Sequence, residues 1–208
     1  MRGDLIEVVR AALRGGVDRV QIREKDGPAR NLYETVLRII PAAQGTGAGV
    51  LVNDRVDVAL ATGADGVHLA AKSLPPYVAR ELVGERKVVG VSVHGLDEAL
   101  HAAWEGADYV TFGHVYPTAS KPGLPPRGLR ELAEVVESVE VPVLAIGGID
   151  RSNVVEVLRT GASGVCVVSA ILAAPDPEKA ARELREEIDG SGLRPKHPFN
   201  ETGAKGAR

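Results

Sequence analysis

Seven short runs rich in valine, isoleucine and leucine punctuate the chain, near residues 19–23, 49–53, 66–70, 88–93, 109–114, 142–147 and 164–169. They show little alternation of apolar and polar positions, the pattern of strands buried on both faces of a parallel sheet. Between them apolar residues recur at three- and four-residue spacing, which predicts helices near 3–14, 29–43, 55–62, 75–83, 96–105, 128–138, 151–160 and 177–188. Asp97 and Glu98 place negative charge in the first turn of one of them, where the helix dipole favours it. A phrase recurs at the junctions: Gly16-Val17-Asp18, Gly63-Ala64-Asp65, Gly106-Ala107-Asp108 and Gly161-Ala162-Ser163, at intervals of 43 to 55 residues. Each reads as a helix ended by glycine and a tight turn into a strand. Repetition at this period predicts a chain built from similar βα units.

Strands and helices in this alternation predict an α/β protein, a (β/α)8 TIM barrel. Eight helices stand against seven strands, and the chain opens on a helix where a closed barrel opens on a strand. The expectation is therefore a barrel lacking its first strand. Seven strands do not close an eight-stranded barrel. The strands near 19–23 and 165–169 should then keep open edges, which invite pairing with another chain. A homo-oligomer, a dimer, is expected. The barrel domain is read as residues 1–189. The segment 190–208 has many breakers and no period, so it is read as a disordered tail.

Composition narrows the function. The 208 residues carry a net charge of −3 and only 3% aromatic residues. Neither a basic patch nor stacking platforms are on offer, so nucleic acid is not an expected partner. No apolar run reaches membrane-spanning length, and no membrane association is expected. Cys166, the one cysteine, lies in an apolar run and reads as a buried, inert thiol. No intramolecular disulfide can form, and no signal peptide is visible, which points to the cytoplasm.

In a parallel barrel the active site forms where strands end and βα loops begin. Those ends supply Gln21, Arg23, Glu24 and Lys25; Asn53 and Asp54; His68, with Lys72 and Ser73 beyond it; Ser92 and His94; His114; Gly147 and Gly148; and Val168 and Ser169. Arg23 and Lys25 alternate along one strand end and so point the same way, as anion binders. Asp54 also suits a helix N-cap, and His68 a buried core histidine. His114 is a candidate proton-transfer group, delivered by a strand and followed by a loop with Thr118, Ser120 and Lys121. Gly147-Gly148 ends one strand, and Val168-Ser169 follows the next, where backbone N–H groups can meet a phosphate.

Taken together, Val20–Lys25, Val52–Asp57, Gly63–Leu69, Gly90–His94, the loop Gly113–Gly123 and Ala145–Ile149 resemble the thiamine phosphate synthase superfamily. The resemblance runs from Asp4 to about Ile188, and it is the family's first strand that the chain lacks. Within the superfamily two positions resemble the thiazole tautomerase branch. Ser73 stands where synthases have a magnesium-binding aspartate, and Gly113-His114 stands where they usually have Gly-Pro or Gly-Gln.

This resemblance implies a tautomerase that aromatises a carboxythiazole phosphate by acid–base proton transfer. His114 would be the shuttle, with no metal and no redox cofactor. The substrate would be a phosphorylated thiazole. The alternative is the synthase reaction, joining the pyrimidine diphosphate to the thiazole phosphate. It would use magnesium, with Arg23, Lys25, Asn53, Asp54 and Lys121 on the diphosphate. A non-catalytic ligand-binding homologue is the third reading.

Overall fold

The structure, a computed structural model, describes residues 4–24 and 27–199. The first helix, α1 (Leu5–Arg14), is capped by Asp4, whose carboxylate accepts from the Ile6 N–H. It buries Ile6, Val8, Val9, Ala12 and Leu13 along one face. Then follow β1 (Arg19–Ile22), α2 (Ala29–Ala43), β2 (Gly49–Asn53), α3 (Val56–Thr62), β3 (Gly66–Leu69) and α4 (Pro76–Val83). The order continues with β4 (Val88–Val93), α5 (Leu96–Trp104), β5 (Tyr109–Gly113), α6 (Gly128–Ser138), β6 (Val143–Ile146), α7 (Val154–Leu158), β7 (Gly164–Cys166), α8 (Ser169–Leu172) and α9 (Pro177–Gly190).

The strands form one parallel sheet in chain order, β1 to β7. Among the described residues its ladder ends at β1 on one side and β7 on the other. The sheet is curled into a barrel-like α/β fold, as the alternating pattern predicts. Two large apolar clusters separate it from the surrounding helices. Val36, Val52, Val67 and Val89 lie in one, and Phe112, Leu132, Ala145 and Val157 in the other. Helix α1 packs against both α2 and α9, so the outer layer is continuous across the open side of the sheet.

The recurrent phrase has a structural cause. Gly63, Gly106 and Gly161 all adopt positive φ, which glycine tolerates without a Cβ clash. The alanine after each is buried. The third residue then ties off the preceding strand of the sheet. Asp65 accepts from the Val50 N–H at 2.7 Å, Asp108 from Val89 at 2.7 Å, and Ser163 from Val143 at 3.0 Å. Each thereby satisfies a strand-end donor at the barrel's lower rim. In the first copy Asp18 instead pairs with Arg185 of α9.

Several elements differ from the sequence reading: β7 stops at Cys166, short of residue 169, and α8 (Ser169–Leu172) has no counterpart among the eight expected helices. The helix expected over 151–160 is shortened to Val154–Leu158. Asp150 accepts from Ser152 N (2.8 Å) and Asn153 Oδ1 accepts from Asp150 N (3.0 Å), and these short polar side chains hold a turn in place of helix. A further difference lies past α9. The segment up to Phe199 is irregular, as expected, yet it packs across the lower end of the barrel. Lys196 N donates to Gly161 O at 3.0 Å, and Ser163 Oγ donates to His197 O at 2.6 Å. Phe199 joins Leu51, Val88, Tyr109 and Leu144 in a small apolar cluster beneath the sheet. Its ring meets Tyr109 edge-on at 5.0 Å, and the Arg19 guanidinium lies 4.3 Å from its centroid. Residues 200–208, the rest of that segment, lie outside the described residues.

Candidate functional site

The upper ends of the first three strands meet in a hydrogen-bonded chain of polar side chains. Gln21 Nε2 donates to Asn53 Oδ1 at 2.8 Å, and Asn53 Nδ2 donates to Asp54 Oδ2 at 2.6 Å. The Ser73 hydroxyl donates to the other oxygen of Asp54, which also receives the Ala70 N–H at 3.2 Å. Asp54 has φ of 60°, a left-handed conformation that is strained for a residue with a side chain. Its N–H donates to His68 O at 2.9 Å, which fixes the turn. Asp54 is therefore not the N-cap of α3. That position falls to Arg55, which makes no side-chain cap bond.

Asp54 and Ser73 are thus direct hydrogen-bond partners. Among the described residues no group of three or more His, Cys, Asp or Glu side chains gathers as a metal site. One carboxylate flanked by a hydroxyl and an amide is a donor set that can share a hard cation with phosphate oxygens. Arg23 stands on the same rim, close enough to His68 to lower its pKa. Lys25 lies outside the described residues.

Deeper in the barrel, His68 is 2% exposed. Its Nδ1 lies 2.8 Å from the Tyr109 hydroxyl and its Nε2 lies 2.8 Å from Ser92 Oγ. Burial depresses its pKa to about 4, against a smaller opposing pull from Asp54, so the ring is neutral at neutral pH. His94 sits at the start of α5, where the Glu98 carboxylate accepts from its backbone N–H (2.8 Å) and lies 3.2 Å from its ring. The N-cap of α5 itself is Gly95.

His114 lies at the end of β5, as expected, but its ring is 7% exposed and turned into its own loop. Nε2 lies 3.3 Å from Leu124 O, and the His114 carbonyl accepts from Arg127 N at 2.9 Å. Both contacts brace the long loop that leads into α6. Within that loop Lys121 N donates to Thr118 O at 3.1 Å, and Ser120 N donates to Thr118 Oγ1 at 3.4 Å. Ser120 and Lys121 are exposed.

Gly147 and Gly148 have φ of 102° and 68°. A Cβ on Gly147 would fall 2.7 Å from His114 Cα, and one on Gly148 would fall 2.7 Å from Tyr116 Cβ. The pair is needed first because the β5 loop crosses it at close range. Val168 and Ser169 lie at the exposed start of α8, with Val168 57% exposed. Sequence reasoning left out Tyr109 as a site-linked residue. The available signal was a tyrosine beginning an apolar strand, two strands along from a histidine in another apolar strand. Cys166 is half-buried rather than buried, and desolvation of its thiol pushes its pKa up to about 11.

The family described as thiamine monophosphate synthase matches residues 1–171. A thiamine-phosphate synthase of Roseiflexus castenholzii is 46% identical over 181 residues, covering 86% of this chain and 79% of that protein. One of Chlorobium luteolum is 43% identical over 180 residues, covering 86% and 85%. The solved thiamine phosphate pyrophosphorylase from Pyrococcus furiosus superposes with a TM-score of 0.84 at 42% identity, over 91% of each chain. These relatives correct the tautomerase expectation. The chain matches proteins named synthases over 86% of its length, while the tautomerase reading leaned on two positions. On the site itself the geometry adds only that His114 Nε2 lies 3.3 Å from Leu124 O and that the Ser73 hydroxyl meets Asp54.

Proposed function

The chain belongs to the thiamine monophosphate synthase family, and from that membership we propose that it is a thiamine-phosphate synthase. It joins the pyrimidine diphosphate to the thiazole phosphate and releases pyrophosphate. The observation that supports this most strongly is the 42% identity and 0.84 TM-score to the Pyrococcus furiosus pyrophosphorylase across 91% of both chains.

In this reading the carbon–oxygen bond between the pyrimidine's exocyclic carbon and the diphosphate breaks. The electron pair leaves with the diphosphate, and the thiazole nitrogen supplies the pair for the new bond to that carbon. Negative charge therefore gathers on the leaving group. Arg23, Lys25 and Lys121 meet it with positive charge, and Asn53 adds hydrogen bonds; charge placed against a leaving group is the strongest lever available to such a reaction. Asp54 and Ser73 would hold magnesium beside the diphosphate, where it would further neutralise the leaving group's charge. Gly147, Gly148, Val168 and Ser169 take the phosphate of the thiazole, which orients its nitrogen. Ser92 contacts the pyrimidine diphosphate. Thr118, Ser120 and Lys121 ride on the loop that His114 anchors. Self-association is part of the same proposal, motivated by the open edges at β1 and β7. Light scattering at twice the chain mass of 21.8 kDa would support it, and a monomer at working concentration would refute it.

The test is pyrophosphate release with magnesium, given each substrate alone and then both together. Release should require both substrates, and Lys121→Ala should slow it by about 10²-fold or more. A folded enzyme that releases no pyrophosphate from the two substrates together would overturn the reading.

A further inference from the structure

One chain of contacting groups runs through the barrel interior from the lower end to the mouth, buried at Tyr109 and His68. Phe199 covers Tyr109, the Tyr109 hydroxyl meets His68 Nδ1, and His68 Nε2 meets Ser92 Oγ. Gly90 of β4 makes the path possible, because any Cβ there would overlap the Tyr109 ring.

The protons on this chain can be assigned. Tyr109 is 2% exposed, and burial pushes its ionisation far up, so it keeps its proton. Among the described residues, His68 Nδ1 is the one hydrogen-bond partner found for its hydroxyl. A phenol O–H without an acceptor in the interior is strongly disfavoured. Tyr109 therefore donates, and Nδ1 accepts. A neutral imidazole carries a single N–H, so that proton sits on Nε2 and points to Ser92 Oγ. Ser92 accepts it. Its own O–H must then find an acceptor elsewhere, and no other partner of Ser92 Oγ is found among the described residues. Ser92 is half-buried on β4 near the mouth.

We propose that Tyr109 is a positioning residue: through His68 it commits the Ser92 hydroxyl to act as a hydrogen-bond donor to an acceptor atom of the bound pyrimidine diphosphate. The substrate half of this inference rests on the synthase reading. The proton assignment does not.

The experiment has two parts. Long-range ¹H–¹⁵N correlation spectra of the wild-type protein read the His68 tautomer directly, with the signals assigned by their loss in His68→Asn. The expected result is a protonated Nε2 and an unprotonated Nδ1. A protonated Nδ1 would overturn the proposal whatever the activity. The second part is Tyr109→Phe, which keeps the ring against Phe199 and removes only the donor. It should relax the tautomer preference and raise KM for the pyrimidine diphosphate about two- to twelvefold, the worth of one hydrogen bond, with kcat held within about twofold of wild type. A folded Tyr109→Phe enzyme with unchanged KM would also overturn it. Absence of synthase activity in the wild type would sink the synthase reading, and the spectra would still decide the relay.

Discussion

Gly90→Ala tests whether the barrel interior is arranged around Tyr109. A methyl at residue 90 would overlap the Tyr109 ring, well inside the normal carbon–carbon separation of about 3.5–4.0 Å. The ring has little room to retreat, since Phe199 closes its lower side and His68 holds its hydroxyl. Overpacking of this sort costs about 1–3 kcal/mol. Gly90 does not have a positive φ, so the substitution adds no backbone strain and should recover about 0.5 kcal/mol of strand propensity. The net expectation is a loss of about 0.5–2.5 kcal/mol. Tyr109→Leu alone leaves His68 Nδ1 without its partner and opens space, for a loss of about 2–4 kcal/mol. In the double variant the alanine methyl occupies part of that space, so the two losses should fall short of their sum by about 1–2 kcal/mol. Urea unfolding of the four proteins, followed by far-UV circular dichroism near neutral pH, measures the coupling. Losses that add within about 0.5 kcal/mol would refute the steric argument.

Phe199→Ala should cost about 2 kcal/mol, roughly half the value for a fully buried aromatic because Phe199 is half-buried, and should lower Tm by about 4–8 °C. A shift below about 1 °C in a thermal scan would show that the segment after α9 does not close the barrel. Stability should also fall between pH 6.5 and about 4. The unfolded state takes up a proton on His68 near 6.5 while the folded state resists until about 4, so the unfolded form binds more protons across that window. The total is about 3 kcal/mol, and His68→Asn should flatten that part of the profile measured by urea unfolding. Ser73→Asp sets a second carboxylate against Asp54 and should lower metal-free stability by about 1 kcal/mol through like-charge repulsion. Added magnesium should restore Tm in this variant more than in wild type, and equal responses would count against Asp54 as the metal-binding carboxylate.

Most of the architecture was legible because buried parallel strands leave an unmistakable run of branched apolar residues. Strand β4 is the instructive case. Its apolar run is interrupted by Gly90, which reads from sequence as an ordinary strand glycine, and only the three-dimensional path of Tyr109 explains it. The short helix α7 was overestimated because periodicity cannot weigh the competing turn made by Asp150 and Asn153. The segment ending at Phe199 carries one aromatic among breakers. Its place beneath the sheet depends on contacts with β5 and β1 that lie far away in sequence.

The candidate site shows the same division. The strand ends carrying Gln21, Asn53 and Asp54 were legible as a rim, and the structure brings them into one hydrogen-bonded chain. Position alone also marked His114, but not the direction of its ring, which turns to Leu124 O and braces the loop. Weighing His114 and Ser73 above the rest of the chain led to the tautomerase reading. A serine hydroxyl can still complete Asp54's surroundings, so the loss of one carboxylate did not carry the weight given to it.

The most direct test of the synthase assignment is mass spectrometry of the product. Purified protein with magnesium, the pyrimidine diphosphate and the thiazole phosphate should yield thiamine phosphate and pyrophosphate in equal amounts, with neither formed when one substrate is omitted. Consumption of neither substrate by the folded protein, or pyrophosphate released without thiamine phosphate, would contradict it.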